Sequence, residues 1–205
     1  MRFFNKIIKN IFLLGLLVST NFSYSQNPGE EIGKALYYLL NRSEFKKDAQ
    51  AKYIREIANQ TVVVNSSSNA RFSGGNSRAG VKINLPSGTT RWYYRITLTG
   101  INSYYSYPAQ ETLFSLISNQ KSFIVNNQTN YGIDCYVLDD FYMHNFLQTG
   151  NENFRYYTNY SSTNTKGFIG SCNLISNNLW IGIKNPNLTE GLKVIVEVVA
   201  FGNFN

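Results

Sequence analysis

The chain has one histidine, His144, two cysteines, Cys135 and Cys172, and a few carboxylates gathered around residue 140. A histidine-based triad has to run through His144, which lies in the aromatic run Phe141-Tyr142-Met143-His144-Asn145-Phe146. Neither a Gly-x-Ser-x-Gly elbow nor a His-Glu-x-x-His pattern occurs. Asp134, Asp139, Asp140 and Glu152 could supply a carboxylate pair for glycoside hydrolysis. Asp139-Asp140, however, reads first as a turn that ends a strand, and a calcium site built there needs six or more oxygen ligands. The sequence therefore assigns no catalytic residue, no metal ligand and no cofactor.

Binding chemistry has more candidates. Asn65 to Gly80, NSSSNARFSGGNSRAG, is rich in Ser, Asn and Gly and carries Arg71 and Arg78. Backbone amides around Gly74-Gly75 and Gly80 could converge on an anion that Arg71 or Arg78 then pairs; the alternative is a solvent-exposed loop, since no Gly-Lys-Ser/Thr tail follows. Trp92 and Tyr94 share one side of a strand and Tyr93 the other, so the Trp92 side is either core or a shelf for stacking sugar rings. Tyr104, Tyr105 and Tyr107 precede Pro108 in a loop pattern. Arg71, Arg78, Trp92 and Tyr105 are the four ligand-binding candidates, and Trp180 joins the aromatics a glycan could use.

Strands must position these residues. In GIDCYVLDDFYMHNF, Gly132 to Phe146, Ile133, Cys135 and Val137 alternate with Asp134, Tyr136 and Leu138, the pattern of a strand with one dry face. Leu192–Phe201 is the densest β-branched run, and Asn178–Pro186 supplies a third strand expected in the same sheet. TVVV, VKINL, a Pro86-Ser87-Gly88 turn and RWYYRITL read as a meander. Short helices are expected within Ala109–Gln120 and Phe141–Gly150, and Phe154–Tyr160 reads as strand. Glu30 to Gln60 differs in kind: Ile32, Leu36, Leu39 and Leu40, then Phe45, Ala49, Tyr53 and Ile57, repeat at helical spacing. This helical segment packs on the sandwich or docks to a partner protein.

Residues 1 to 25 read as a secretory signal peptide: Arg2, Lys6 and Lys9 precede the apolar run Ile11–Val18, which is far short of the roughly 20 residues that span a bilayer. No cysteine lies near the cleavage position, so no lipid anchor is indicated. The organisation expected is signal peptide 1–25, helical segment 26–60 and β-sandwich 61–205, secreted or periplasmic, with no stable membrane span once the leader is removed. Beyond the leader 16 basic residues face 12 acidic ones, a net charge of +4. Basic residues are scattered rather than blocked, which argues against nucleic acid as a partner. In an oxidising compartment Cys135 and Cys172 would pair as a disulfide or remain as two buried thiols.

SGGNSR (Ser73 to Arg78), INLPSGTTRWYYRI (Ile83 to Ile96), DCYVLDD (Asp134 to Asp140), WIGIKNP (Trp180 to Pro186) and GLKVIVEVVAFG (Gly191 to Gly202) occur in that order. This series resembles an uncharacterised family of exported bacterial β-sandwich proteins. It is more distantly similar to the pre-peptidase C-terminal and GOLD-type sandwiches. The sequence departs from that pattern at Asp134-Cys135, where the cysteine follows the aspartate, and at Ser87-Gly88, where an asparagine is expected. The resemblance implies a mainly β, antiparallel jelly-roll-like sandwich with no established catalytic residues. The functional expectation is a non-catalytic binding or accessory component of the cell envelope whose partner is an envelope protein or a glycan.

Overall fold

Five apolar residues at every second position of Leu192–Gly202, namely Leu192, Val194, Val196, Val198 and Ala200, are fully buried, so this strand supplies one wall of the core. The computed structural model describes residues 53–101, 111–119, 131–148 and 150–204. They form eight strands: β1 Tyr53–Val64, β2 Arg78–Ile83, β3 Thr89–Gly100, β4 Ile133–Asp139, β5 Ser162–Thr165, β6 Phe168–Cys172, β7 Leu179–Lys184 and β8 Leu192–Gly202. One sheet has the order β1-β8-β3-β6 and the other β2-β7-β4-β5, every pairing antiparallel. Two four-stranded sheets with chain crossovers in this order make a jelly roll.

The sheets close on one apolar layer. From the first come Trp92, Tyr94, Ile96 and Leu98 of β3 with Val194, Val196 and Val198 of β8; from the second come Val81, Ile83, Ile133, Cys135, Val137, Leu179, Ile181 and Ile183. Register makes large face small: Trp92 lies opposite Ala200, and Tyr94 lies between Val198 and Gly170. The strand expected at Gly132 and its dry face are both present. Its predicted partnership with the C-terminal run is not: β4 pairs with β7, while β8 belongs to the facing sheet. A strand so uniformly apolar can be central in either sheet, and periodicity does not say which.

Each outer face is covered by a short helix. Helix α2, Leu113–Ser118, capped by Thr112, buries Leu113, Leu116 and Ile117 against Tyr93, Ile169, Val199 and Phe201. Helix α3, Asp140–Leu147, lays Met143 and Phe146 over Tyr136 and Leu138. Another short helix, α1, Ser67–Phe72, joins β1 to β2. Phe154–Tyr160, expected as strand, runs without regular structure into a 3-10 turn at Thr158–Tyr160. Among the described residues no helix is long and apolar enough to cross a membrane.

The helical reading of Glu30 to Gln60 is corrected at its end: Tyr53 to Gln60 is strand, so the boundary placed between residues 60 and 61 falls inside β1. A bulge between Glu56 and Ala58 inserts one residue. As a result Ile57 and Ala58, consecutive in the chain, both face the inter-sheet core, while Ile54 faces the α2 side. The remainder of that segment and residues 1–25 lie outside the described residues.

Candidate functional site

At one end of the sandwich β1 finishes at Val64, β2 begins at Arg78, β7 finishes at Lys184 and β8 begins at Leu192. Between them run the α1 loop and the turn 185–191, and side-chain amides and hydroxyls lock the two together. Asn185 is buried, and its amide donates to Val64 O at 3.3 Å and Glu190 O at 2.8 Å. Its oxygen accepts from Asn187 N at 3.0 Å. Asn187 reaches across to Gly132 O at 2.9 Å, just before β4. Ser66, fully buried, caps α1 by accepting from Asn69 N at 3.2 Å.

On this frame α1 is docked. Ser67 N and Oγ both donate to Asn187 O, at 2.8 and 3.1 Å, while Ser68 N and Oγ both donate to Leu188 O. Phe72 stands four residues beyond Ser68 on the same helix face. The consequence is a pair of apolar side chains presented to solvent on anchored backbone: Phe72 is 81% exposed and Leu188 71%. Arg71, which precedes Phe72 in the last turn of α1, is also exposed. Gly75, at φ +99°, lets the returning chain pass Asn65, whose side chain would collide with any Cβ there.

The sequence candidates separate. Arg71 lies on this surface. Arg78 does not: it is 3% exposed on the outer face of the second sheet. There one guanidinium nitrogen donates to Phe146 O at 2.8 Å, Gln148 O at 3.2 Å and Asn151 O at 2.6 Å, and another pairs with Glu152. Its plane also lies against Phe146 and Phe154. Arg78 ties down the C-terminal end of α3, and the anion cradle is not assembled, because Gly80 is inside β2 beneath Met143. Trp92 is no shelf either: it is fully buried, and its indole N–H donates to Leu174 O at 2.9 Å. Tyr105, like Tyr104 and Tyr107, lies outside the described residues.

Of the two states open to the cysteines, the structure has the buried thiols. Cys135 and Cys172 are free thiols buried in the core, one in each sheet. Burial, with Asp134 nearby, pushes the Cys135 thiol up to about 12, and burial takes Cys172 to about 11.

The carboxylates are engaged one by one. Asp134 accepts from Asn164 N at 2.9 Å and from the Tyr136 hydroxyl at 3.2 Å. Asp139 accepts from the Tyr157 hydroxyl at 2.8 and 3.0 Å. Asp140 accepts from the half-buried Trp180 indole at 2.7 Å and lies 3.9 Å from Lys82 Nζ. Asp134 and Asp139 sit at opposite ends of β4, about 17 Å apart at ~3.4 Å per residue. His144 is exposed on α3, and its ring Nε2 hydrogen-bonds the Gln148 amide nitrogen at 3.1 Å. Among the described residues no three His, Cys, Asp or Glu side chains converge on a common point for a metal ion.

Sequence reasoning missed Phe72 and Leu188. The usable signal was the serine run: Ser66 to Ser68 ahead of Asn69-Ala70 offers a cap and a short helix, which would have set Phe72 on a defined face. No family model matches the chain, and none of the curated proteins does.

Proposed function

We propose that this protein is an exported, non-catalytic recognition component of the bacterial cell envelope, binding another envelope protein through the end formed by α1 and the 185–191 turn. The observation that carries the reading is the exposure of Phe72 and Leu188 on backbone held at both ends. A folded chain gains nothing for its own stability by displaying such residues, and rigid display lowers the ordering cost of binding. Aromatics and arginine, the types of Phe72 and the exposed Arg71, are residues in which interface energy concentrates. The leader-like start of the chain and the motif resemblance support the envelope address. The glycan alternative loses Trp92 to the core, and its described aromatic, Trp180, has one face partly covered by Lys82 at 5.7 Å.

The test is site-specific photocrosslinking in cells making the full-length chain, with benzoylphenylalanine at position 72 or at the exposed position 59. A discrete protein adduct from position 72 and none from position 59 is expected. Equal labelling from both, or none from either, overturns the reading.

A further inference from the structure

The outer face of the second sheet carries charged and aromatic side chains beside the C-terminal end of α3. Register places Arg78 of β2, Lys184 of β7 and Asp134 of β4 in one cross-strand row, so the three side chains leave the sheet on the same face. In the next row on that face Gly80 and Gly182 have no side chain, and Tyr136 stands beside them. Residues 151–157 add two groups from above. Glu152 pairs with Arg78 and, at 3.0 Å, with Lys184, and the Tyr156 ring lies 4.7 Å from that of Tyr136. Tyr136 in turn donates to Asp134 at 3.2 Å. Contact and register thus join Tyr156, Tyr136, Asp134, Lys184 and Glu152 into one surface.

Hydrogen-bonding capacity on this surface is left over for a ligand. Arg78 is spent on three carbonyls and on Glu152, which it holds in place. Glu152 meets both cations through Oε1, which leaves Oε2 on a side chain 59% exposed. Lys184 has three N–H donors, and Glu152 takes one. The half-buried Asp134 accepts once at each oxygen, and each retains a lone pair. Tyr156 is 39% exposed. Partial burial works against ionisation of Glu152, but the Lys184 hydrogen bond and the Arg78 charge outweigh it and hold the carboxyl below the usual glutamate range. A carboxylate held ionised accepts hydrogen bonds and is no general acid, which suits binding rather than hydrolysis.

We propose that Tyr156, Glu152, Lys184 and Asp134 form a binding site for a neutral glycan. A pyranose ring lies against the exposed part of Tyr156, its hydroxyls donating to Glu152 Oε2 and Asp134 and accepting from Lys184. Each sugar hydroxyl both donates and accepts, and acceptors and donors stand side by side here next to an aromatic ring. Within the cluster the two carboxylates offset the two cations, so an ionic ligand gains little from its field. Trp92 and Trp180 take no part. The site shares no residue with the α1 surface and does not depend on the reading given for it.

The experiment screens the labelled full-length chain on an array of neutral and acidic glycans. The Kd of each hit is then measured for the wild type, Glu152→Gln, Tyr156→Ala, Tyr156→Phe, Arg155→Gln and Phe72→Ala, with urea midpoints showing that each variant is folded. Neutral glycans are expected to bind. Affinity should fall about tenfold or more on Glu152→Gln and about threefold to tenfold on Tyr156→Ala. It should largely survive Tyr156→Phe and be unchanged by Phe72→Ala. Should Tyr156→Ala fail to fold, Glu152→Gln decides alone. No neutral hit, or hits indifferent to Glu152→Gln, overturn the proposal. A hit lost on Phe72→Ala instead overturns it in favour of the α1 end. Arg155 is exposed next to Tyr156; acidic glycans bound in preference and lost on Arg155→Gln overturn the neutral class.

Discussion

Arg95 and Glu197 face each other directly across β3 and β8, Nε to Oε2 2.5 Å, with both side chains almost wholly removed from solvent. The pair is also the dock for α2. Glu197 Oε1 accepts from Leu113 N at 2.8 Å, and Arg95 donates to Glu111 O at 3.0 Å. One carboxylate thus serves a cross-strand ion pair and a helix N-terminus together. Removing Glu197 alone leaves a buried cation, so Glu197→Ala should cost about 3–5 kcal/mol in urea unfolding. The double variant Arg95→Met/Glu197→Leu, which removes both charges and keeps volume, should recover most of that loss. If the double variant is as unstable as the single one, helix docking rather than charge burial dominates.

Arg78 should behave as a clamp. Its loss strands the buried Phe146 carbonyl and frees the partly exposed carbonyls of Gln148 and Asn151 to take up water; a deprived buried acceptor costs about 1–3 kcal/mol. Arg78→Met should therefore destabilise by about 1–3 kcal/mol and speed hydrogen exchange between Phe146 and Glu152 ahead of the rest of the chain. Global unfolding without this local phase would count against the clamp.

Glu152 gives a pH signature at the same place. Partial burial raises its affinity for a proton, but the Lys184 hydrogen bond and the charge of Arg78 outweigh it and hold the carboxyl below the usual glutamate range. A depressed folded value contributes stability above the unfolded value near 4.5, lost as pH falls through the folded value. More than half of the Glu152 side chain is solvent-exposed, so the contribution is below about 1 kcal/mol. Urea midpoints of wild type and Glu152→Gln, compared between pH 3 and 6, should converge at the acid end. Parallel curves would reject the assignment.

The thiols carry the opposite sign. Both titrate higher in the folded chain than the ordinary value of 9.0. Their contribution is therefore complete below pH 9 and declines as pH rises toward 11 and 12, where the unfolded chain releases protons the folded one retains. Disulfide-exchange reagent at pH 8 should leave both thiols unmodified until denaturant is added, and Cys135→Ala should flatten the alkaline loss of stability. Rapid native labelling of either thiol would contradict their burial.

Much of this was legible from alternation, which places residues on faces but does not assign sheets. Ile133, Cys135 and Val137 had to share a dry side, and Trp92 and Tyr94 had to share one too; only packing decided that the latter was core. The bulge at Glu56 to Ala58 was invisible because one inserted residue puts the consecutive Ile57 and Ala58 on one face and breaks the alternation that marks a strand. Arg78 read as a loop arginine because Ser, Asn and Gly surround it, although its side chain acts on carbonyls about 70 residues away. Such partners are set by topology, and local composition does not report them.

Phe72 and Trp92 make the final contrast, two aromatics of which one lies outside and one inside. Trp92 is fully buried between the sheets, so Trp92→Ala should cost about 3–5 kcal/mol. Phe72→Ser and Leu188→Ser remove side chains that already face water, and each should shift the unfolding free energy by no more than about 0.5 kcal/mol. Their anchor is a different matter. Asn187→Ala cuts the link to Gly132, deprives a buried carbonyl and should cost about 1–3 kcal/mol. Should Phe72→Ser lose more than about 1 kcal/mol in urea, the side chain is covered in the folded chain, and this end is not the recognition surface.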